Sequence, residues 1–315
     1  MEGKLVTVVV VGVGVAGRVR IRDILNLEAI ARKSGSPGLR IVGYVSRRSL
    51  GEIAGTRQIT LPEALTSPDV QAAIISTENA AHEETVRLFL EAGKHVCVEY
   101  PLALSASAAQ NLFKLADKMG RVLHIEHIEL LTSQYKQLRD QVEGKTLEQG
   151  CLHFTGGPLM DFEKCGFPSF SGVSRLSWLV NLFGELEVEE ATMQERREKQ
   201  YFRLTAKLLT KSAGMLNWVE ERGPGCTRAK RIQFQFAGGS SLEELPPATP
   251  GPEGLFLQDL HIFSSKLQAM AEGTVNVISS QAERCRILHC LELAGTIRNL
   301  CCGSPVAIER KSKTP

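Results

Sequence analysis

LVTVVVVGVGVAG, residues 5–17, is the stretch whose reading decides the fold. Residues 5–11 are almost all apolar and mostly β-branched, the composition of a strand buried on both faces. Gly12-Val13-Gly14-Val15-Ala16-Gly17 follows at once and opens a helical stretch through about 31. In that setting G-x-G-x-x-G carries a mechanism. The first glycine makes a tight turn, the second lets backbone approach a pyrophosphate, and the third lets helix and strand pack closely. The helix N-terminus then faces the negative charge. The apolar run breaks into glycines and lacks a cleavage site, so it reads as a strand rather than a secretory leader.

Working outward, strands and helices alternate to about residue 129. Strands are expected at 39–45 (LRIVGYV), 71–77 (QAAIIST), 95–100 (HVCVEY) and 121–129 (RVLHIEHIE). Pro62 and Glu63 open a short helix, His82 to Ala92 form another closed by Gly93, and Ser105 caps a third that ends before Gly120. Such alternation implies a parallel sheet with right-handed crossovers, a Rossmann domain over residues 1–127.

After the second strand come Ser46-Arg47-Arg48. An acidic residue there would bind ribose hydroxyls, whereas a hydroxyl and two guanidinium groups suit a 2′-phosphate. The cofactor expected is NADP(H), with NADH also possible. Thr77, Glu78, Asn79, Ala80, Ala81 and His82 lie at the next strand end, placed to line the cofactor. For His82 two readings stand, a cofactor contact or an ordinary first-turn residue.

The pattern changes in residues 128–302. GCLHFTG, ELEVEEATMQ, YFRLTAKLLT, MLNWVEE and KRIQFQFAG alternate polar and apolar residues, the sign of a large antiparallel sheet covered on one side. A helix at 173–183 interrupts them, ELPPATPGPEG (244–254) is a loop, and helices at 255–272 and 281–300 close an α+β domain. Residues 303–315 read as a flexible basic tail. The site is expected where the strand ends of the first domain meet the sheet of the second.

Charge narrows the function classes. Lys and Arg total 37 against 35 acidic residues, interspersed, so no polyanion-binding surface and no nucleic-acid partner is expected. No apolar run reaches the ~18 residues of a membrane span. Eight cysteines without a secretory signal read as free thiols in the cytosol.

Gly93-Lys94-His95-Val96-Cys97-Val98-Glu99-Tyr100-Pro101 brings the chain to a family. It resembles the Gfo/Idh/MocA oxidoreductases, which carry Glu-Lys-Pro at this point and use that Lys in proton transfer to a sugar hydroxyl. Tyr100 replaces it, which argues against sugar-alcohol oxidation. Within that superfamily the chain is similar to the biliverdin reductases of the A type. The likeness runs through VVVVGVGVAGRVR (8–20), VSRRSLG (45–51), FLEAGKHVCVEYP (89–101), GFPSFSGVSRLSWLVNLFGEL (166–186) and RILHCLELA (286–294).

That resemblance implies hydride transfer from NADPH to the central methine carbon of biliverdin, a linear tetrapyrrole, in heme catabolism. It points to Tyr100, Glu99 and Arg175 as the reactive cluster. Tyr100 packs near the nicotinamide and tetrapyrrole or donates a hydrogen bond; an unperturbed tyrosine pKa of ~10 makes it a poor acid unless tuned. Glu99 orders a water or is structural. Arg175 binds a propionate, polarises a water, or is a helix-surface residue. Two alternatives remain: a dihydrodiol or sugar dehydrogenase on the same fold, and a non-catalytic NADP-sensing regulator. The expected assembly is a monomer, with the sheet face left open for a dimer or for the bilin.

The resemblance also suggests zinc at His289, Cys290, Cys301 and Cys302. The residue types suit Zn²⁺. However, if 281–300 form one helix, Cys290 and Cys301 lie ~16 Å apart, too far for one ion. Free thiols on a helix are the competing reading.

Overall fold

The computed structural model describes residues 5–34, 36, 38–157, 161–251, 253–273 and 281–303. The elements in chain order begin with β1 (Leu5–Val11), α1 (Val15–Ser34), β2 (Gly38–Val45), α2 (Leu61–Thr66), β3 (Ala72–Ile75), α3 (His82–Glu91), β4 (His95–Val98), α4 (Ala106–Met119) and β5 (Leu123–Ile125). Then come α5 (Ile128–Leu131), α6 (Ser133–Val142), β6 (Leu147–Gly156), α7 (Phe162–Cys165), α8 (Pro168–Ser171) and α9 (Val173–Phe183). The chain continues through β7 (Leu186–Arg196), β8 (Tyr201–Thr210), β9 (Met215–Arg222), β10 (Ala229–Phe236), β11 (Ser241–Leu242), α10 (Leu255–Ala271) and α11 (Gln281–Cys301).

The chain divides into two compact units. The first takes the described residues within Met1–Gln141, Glu163–Gly166 and Pro246–Leu288; the second takes those within Val142–Phe162, Phe167–Leu245 and His289–Pro315. This differs from the boundary expected after residue 127, because contacts place 128–141, all of α10 and the start of α11 with the first unit. The tail expected at 303–315 lies outside the described residues apart from Gly303.

In the first unit five parallel strands run in the order β2-β1-β3-β4-β5. The chain leaves β1 on one side to β2 and on the other to β3, so a crevice opens at the carboxyl end of β1. On one face α1 and α10 pack together, with Ile21, Ile24 and Leu27 meeting Leu260, Phe263 and Leu267 over Val8, Val10 and Ile74. On the other, α3 and α4 bury Phe89, Leu90, Leu112 and Phe113. Local signals set the ends of α4: the Ser105 hydroxyl accepts from Ala108 N at 3.1 Å, and Gly120 ends it at φ +59°.

In the second unit six strands run β11-β10-β6-β9-β8-β7. The sheet is mixed rather than wholly antiparallel, since β6 and β9 pair in parallel. β7 and β9, each antiparallel to β8, run the same way as β6. Trp178, Leu179, Phe202, Leu204, Leu216, Trp218 and Phe234 form this unit's core. Gly172 is required where α9 begins, because a Cβ there would lie 2.4 Å from the Trp218 ring.

Two glycines of the turn after β1 differ in a testable way. A Cβ on Gly17 would sit 1.9 Å from the Gly12 carbonyl oxygen, whereas one on Gly14 meets nothing within 4 Å. Gly17→Ala is expected to lower unfolding stability by about 2 kcal/mol or more, and Gly14→Ala to leave it nearly unchanged. Thermal or urea unfolding of the two variants checks this; equal losses would contradict the packing described.

Candidate active site

A cavity of about 1130 Å³ opens at the carboxyl end of β1, lined by Gly12, Val13, Gly14, the 45–49 segment, Gln58 and the start of the chain after β3. Gly12 takes φ +88°, and a Cβ on it would meet the Ser76 carbonyl at 2.6 Å. The open space over Gly14 and the start of α1 leave room for a pyrophosphate against backbone N–H groups, so the turn fits a dinucleotide. Val15 is 87% exposed beside it. Ala16 and Gly17 belong to the first turn of α1, with Gly17 buried against Gly12.

Ser46, Arg47 and Arg48 line the same cavity. Sequence reading missed the residue that shapes them. The Gln58 amide nitrogen donates to Ser46 O at 3.0 Å and Arg48 O at 2.9 Å, and its oxygen accepts from Leu50 N at 3.0 Å. The Ser46 hydroxyl accepts from Arg48 N at 3.1 Å, tightening the turn. Arg47 reaches across to Glu78 with a 2.6 Å ion pair. A 2′-phosphate at this turn would exchange Glu78 for a doubly charged partner.

Thr77, Glu78 and Ala81 also line the cavity. Asn79 donates instead to Cys165 O at 2.9 Å, and Ala80 sits in the short 3₁₀ turn Asn79–Ala81. His82 faces inward: it is fully buried, with Nδ1 2.7 Å from Pro101 O and Nε2 3.1 Å from Thr77 O. Its ring therefore ties together the backbones that follow β3 and β4, and burial lowers its pKa.

Glu99 and Tyr100 directly follow β4, and the Tyr100–Pro101 bond is cis. The Tyr100 ring meets the His127 ring edge-on, centroids 4.9 Å apart. Below them lies a chain of buried polar groups. Arg20 Nε donates to Glu99 Oε1 at 2.9 Å and Arg20 Nη1 pairs with Asp259 Oδ2 at 2.8 Å. Asp259 Oδ1 lies 2.8 Å from His124 Nε2, and His124 Nδ1 lies 3.1 Å from Lys266 Nζ. An ammonium only donates, so Nδ1 accepts and Nε2–H donates to Asp259. Lys266 pairs onward with Glu283 at 3.2 Å.

This chain sorts its carboxyl groups. Burial acts to raise Asp259, but the His124 hydrogen bond and Arg20 outweigh it and hold Asp259 down at about 2. Burial raises Glu99, with Arg20 opposing. Glu126 is buried beside both, and desolvation followed by the charges of Glu99 and Asp259 pushes it up to about 8. Its Oε1 accepts from Ile128 N at 2.6 Å. Burial, then Arg286 and His124, bring His127 down to about 3.

Arg175 lies in the second unit, on the first turn of α9 and nearly buried. Its guanidinium carbon is 3.8 Å from the Phe154 ring centroid, and its Nε is 3.5 Å from Glu220 Oε2. Phe170 and Trp178 are core residues, and Phe167 is half-buried.

The zinc expectation at His289, Cys290, Cys301 and Cys302 needs correction. Residues 281–301 form one helix, which separates Cys290 from Cys301 by several turns. Cys290 is buried, Cys302 is exposed, and His289 Nε2 accepts from Leu186 N at 3.0 Å. Among the described residues the one group with metal-ligand spacing is Cys97, His124 and Asp259. There Asp259 is engaged by Arg20 and His124, and His124 by Lys266, so their lone pairs serve hydrogen bonds.

Residues 6–127 match the family model described as oxidoreductase family, NAD-binding Rossmann fold. Residues 135–249 match the model described as biliverdin reductase, catalytic. The chain is 51% identical over 294 residues to biliverdin reductase A of Mus musculus, spanning 93% of this chain and 95% of that one. It is 48% identical over 295 residues to biliverdin reductase A of Homo sapiens, spanning 94% and 96%. The fold is shared, at 22% identity and TM-score 0.75, with the crystal structure of biliverdin reductase in complex with biliverdin and NADP⁺ from Synechocystis sp. PCC 6803, over 94% of this chain and 99% of that one.

Two expectations follow from this geometry. Arg47→Ala should weaken NADPH about tenfold and NADH less than about twofold, measured as dissociation constants by fluorescence titration. Glu126 has a folded pKa above its unfolded one, so it favours folding at acid pH, and that contribution fades as pH rises from about 4.5 through about 8. The melting temperature of Glu126→Gln relative to wild type should therefore climb between pH 5 and pH 9. A constant difference would mean that Glu126 titrates normally.

Proposed function

The chain belongs to the biliverdin reductase A family, and we propose that it reduces biliverdin to bilirubin with NADPH, NADH serving less well. The observation that carries this is Glu99-Tyr100 at the end of β4, joined to full-length similarity to two mammalian enzymes of that activity. Tyrosine stands where a sugar dehydrogenase needs its lysine, which disfavours that alternative.

When bound, the nicotinamide cofactor supplies the hydride for the central methine carbon. The protein's own residues do the rest. Gly12, Gly14 and the N-terminus of α1 hold the pyrophosphate, and Arg47 and Arg48, set by Gln58, hold the 2′-phosphate. Arg20 holds Glu99 in place, so the carboxyl at the β4 end has a fixed orientation. Tyr100, braced by His127, packs against the flat reactants. As electrons enter the conjugated tetrapyrrole, negative charge develops and a pyrrole nitrogen takes a proton from solvent water. Arg175 offers a nearly buried guanidinium to that charge.

All eight cysteines are free thiols, which suits a reducing compartment, and the cytosol is the reading we favour. Among the described residues no helix is long and apolar enough to cross a membrane.

The test is absorbance of the purified protein with biliverdin and NADPH, then NADH. Loss of the green bilin band with growth of a yellow bilirubin band is the expected result, faster with NADPH. Arg175→Ala should lower kcat by about 10²-fold with little change in NADPH affinity. Cofactor binding without colour change would defeat the substrate assignment.

A further inference from the structure

The ion pair of Arg47 and Glu78 joins two strand ends across the cofactor crevice. Arg47 follows β2, Glu78 follows β3, and β1 lies between those strands in the sheet. Arg47 Nη2 reaches Glu78 Oε1 at 2.6 Å, and both residues line the cavity that Gly12 and Gly14 also line. The Arg47 side chain is 82% exposed. A bridge so open to water adds little to stability. Its effect lies in placement, for it brings a carboxylate to a turn that has none.

The hydroxyls of an adenosine ribose need an acceptor. Dinucleotide folds that take NAD supply an Asp or Glu at the end of the second strand for the 2′-hydroxyl. Here Ser46-Arg47-Arg48 stand at that place, and acceptors of the turn itself are engaged. Ser46 O and Arg48 O both accept from Gln58 Nε2, and the Ser46 hydroxyl accepts from Arg48 N. Two other carboxylates line the cavity. Glu63 pairs with Arg57 at 3.1 Å, and Glu52 stands exposed on the loop beyond the turn. Among the described cavity residues, Glu78 is the carboxylate bound to the guanidinium that suits a 2′-phosphate. Its Oε1 marks where that guanidinium takes an anion.

We propose that Glu78 is a specificity-determining residue that lets one turn accept both nicotinamide dinucleotides. With NADH, Arg47 keeps Glu78 at the turn, and the carboxylate accepts a hydrogen bond from the adenosine 2′-hydroxyl. With NADPH, the 2′-phosphate takes Arg47 in two parallel hydrogen bonds, and Glu78 is released. The two states exclude each other at one guanidinium. Arg47 and Arg48 therefore draw the preference toward NADPH, while Glu78 draws it back. The proposal rests on the reading of the first unit as a domain for NADP(H), and not on the identity of the second substrate.

The test is fluorescence titration of the purified protein with NADPH and with NADH, which reads binding without turnover. Glu78→Gln keeps the side chain's size and removes its charge. It should weaken NADH about threefold and tighten NADPH about twofold, moving the ratio of the two dissociation constants about sixfold toward NADPH. Glu78→Asp, which retains the charge, should give a ratio between those of wild type and Glu78→Gln. In an Arg47→Ala background the tightening of NADPH by Glu78→Gln should shrink, because no guanidinium remains to be freed. An unchanged ratio in Glu78→Gln, or a shift toward NADH, would overturn the proposal. So would a loss of NADH binding in Glu52→Gln with Glu78→Gln silent. None of these titrations needs biliverdin. The expected shifts together with no reduction of biliverdin would support this proposal and defeat the reductase reading, whereas wild type that binds neither nucleotide would overturn both.

Discussion

A guanidinium with no access to water needs permanent partners, and Arg20 is the group on which the first unit turns. It projects from α1 one turn beyond the glycine loop. One side reaches Glu99 at the end of β4 and the other reaches Asp259 on α10, with Phe256 of the same helix over its plane. Three elements distant in sequence are thereby fixed to one another beside the cofactor cavity. Removing Asp259 would leave a buried cation short of an anion, a cost that far exceeds the worth of an exposed salt bridge.

Around that cation, burial and hydrogen bonding make neighbouring carboxyl groups differ. Asp259 has Arg20 and a hydrogen-bonded histidine, and stays ionised. Glu126 has a backbone N–H and two anionic neighbours, and keeps its proton to higher pH. Chemistry that takes up one hydride and one proton benefits from an environment where protonation is set by fixed charges rather than by bulk solvent.

Much of this was legible in the sequence where the signal is local. The unbroken β-branched run, the glycine spacing, Ser105 and Gly120 at the ends of α4, and Ser46-Arg47-Arg48 after β2 each carry their meaning within a few residues. The limits were those of locality. Residues 128–142 hold two helices that the sequence reading passed over. α10 reads as an amphipathic helix near the end of the chain, and nothing in it says that Leu260 and Phe263 cover a sheet begun at residue 5. Arg20 and Asp259 are 239 positions apart, beyond any periodicity. In β9 and β10 alternation alone did not reveal that Arg222 and Lys230 stand on the face that is buried further along. For the cysteines of α11 residue type suggested a metal, but the helical spacing readable in the sequence already opposed a single-ion site, and the one helix over 281–301 agrees with that objection.

The first unit is not one continuous length of chain: its third layer arrives with α10, after the whole six-stranded sheet has been made. A ribosome working from the amino end therefore releases β1 through α4 with Ile21, Ile24 and Leu27 still uncovered and Arg20 lacking Asp259. The nucleotide-binding half must wait, partly built, for about 150 further residues before it can close. Nascent chains stalled before and after residue 271 would differ in exposed apolar surface, and a nonsense mutation anywhere between them would damage the half of the enzyme already translated.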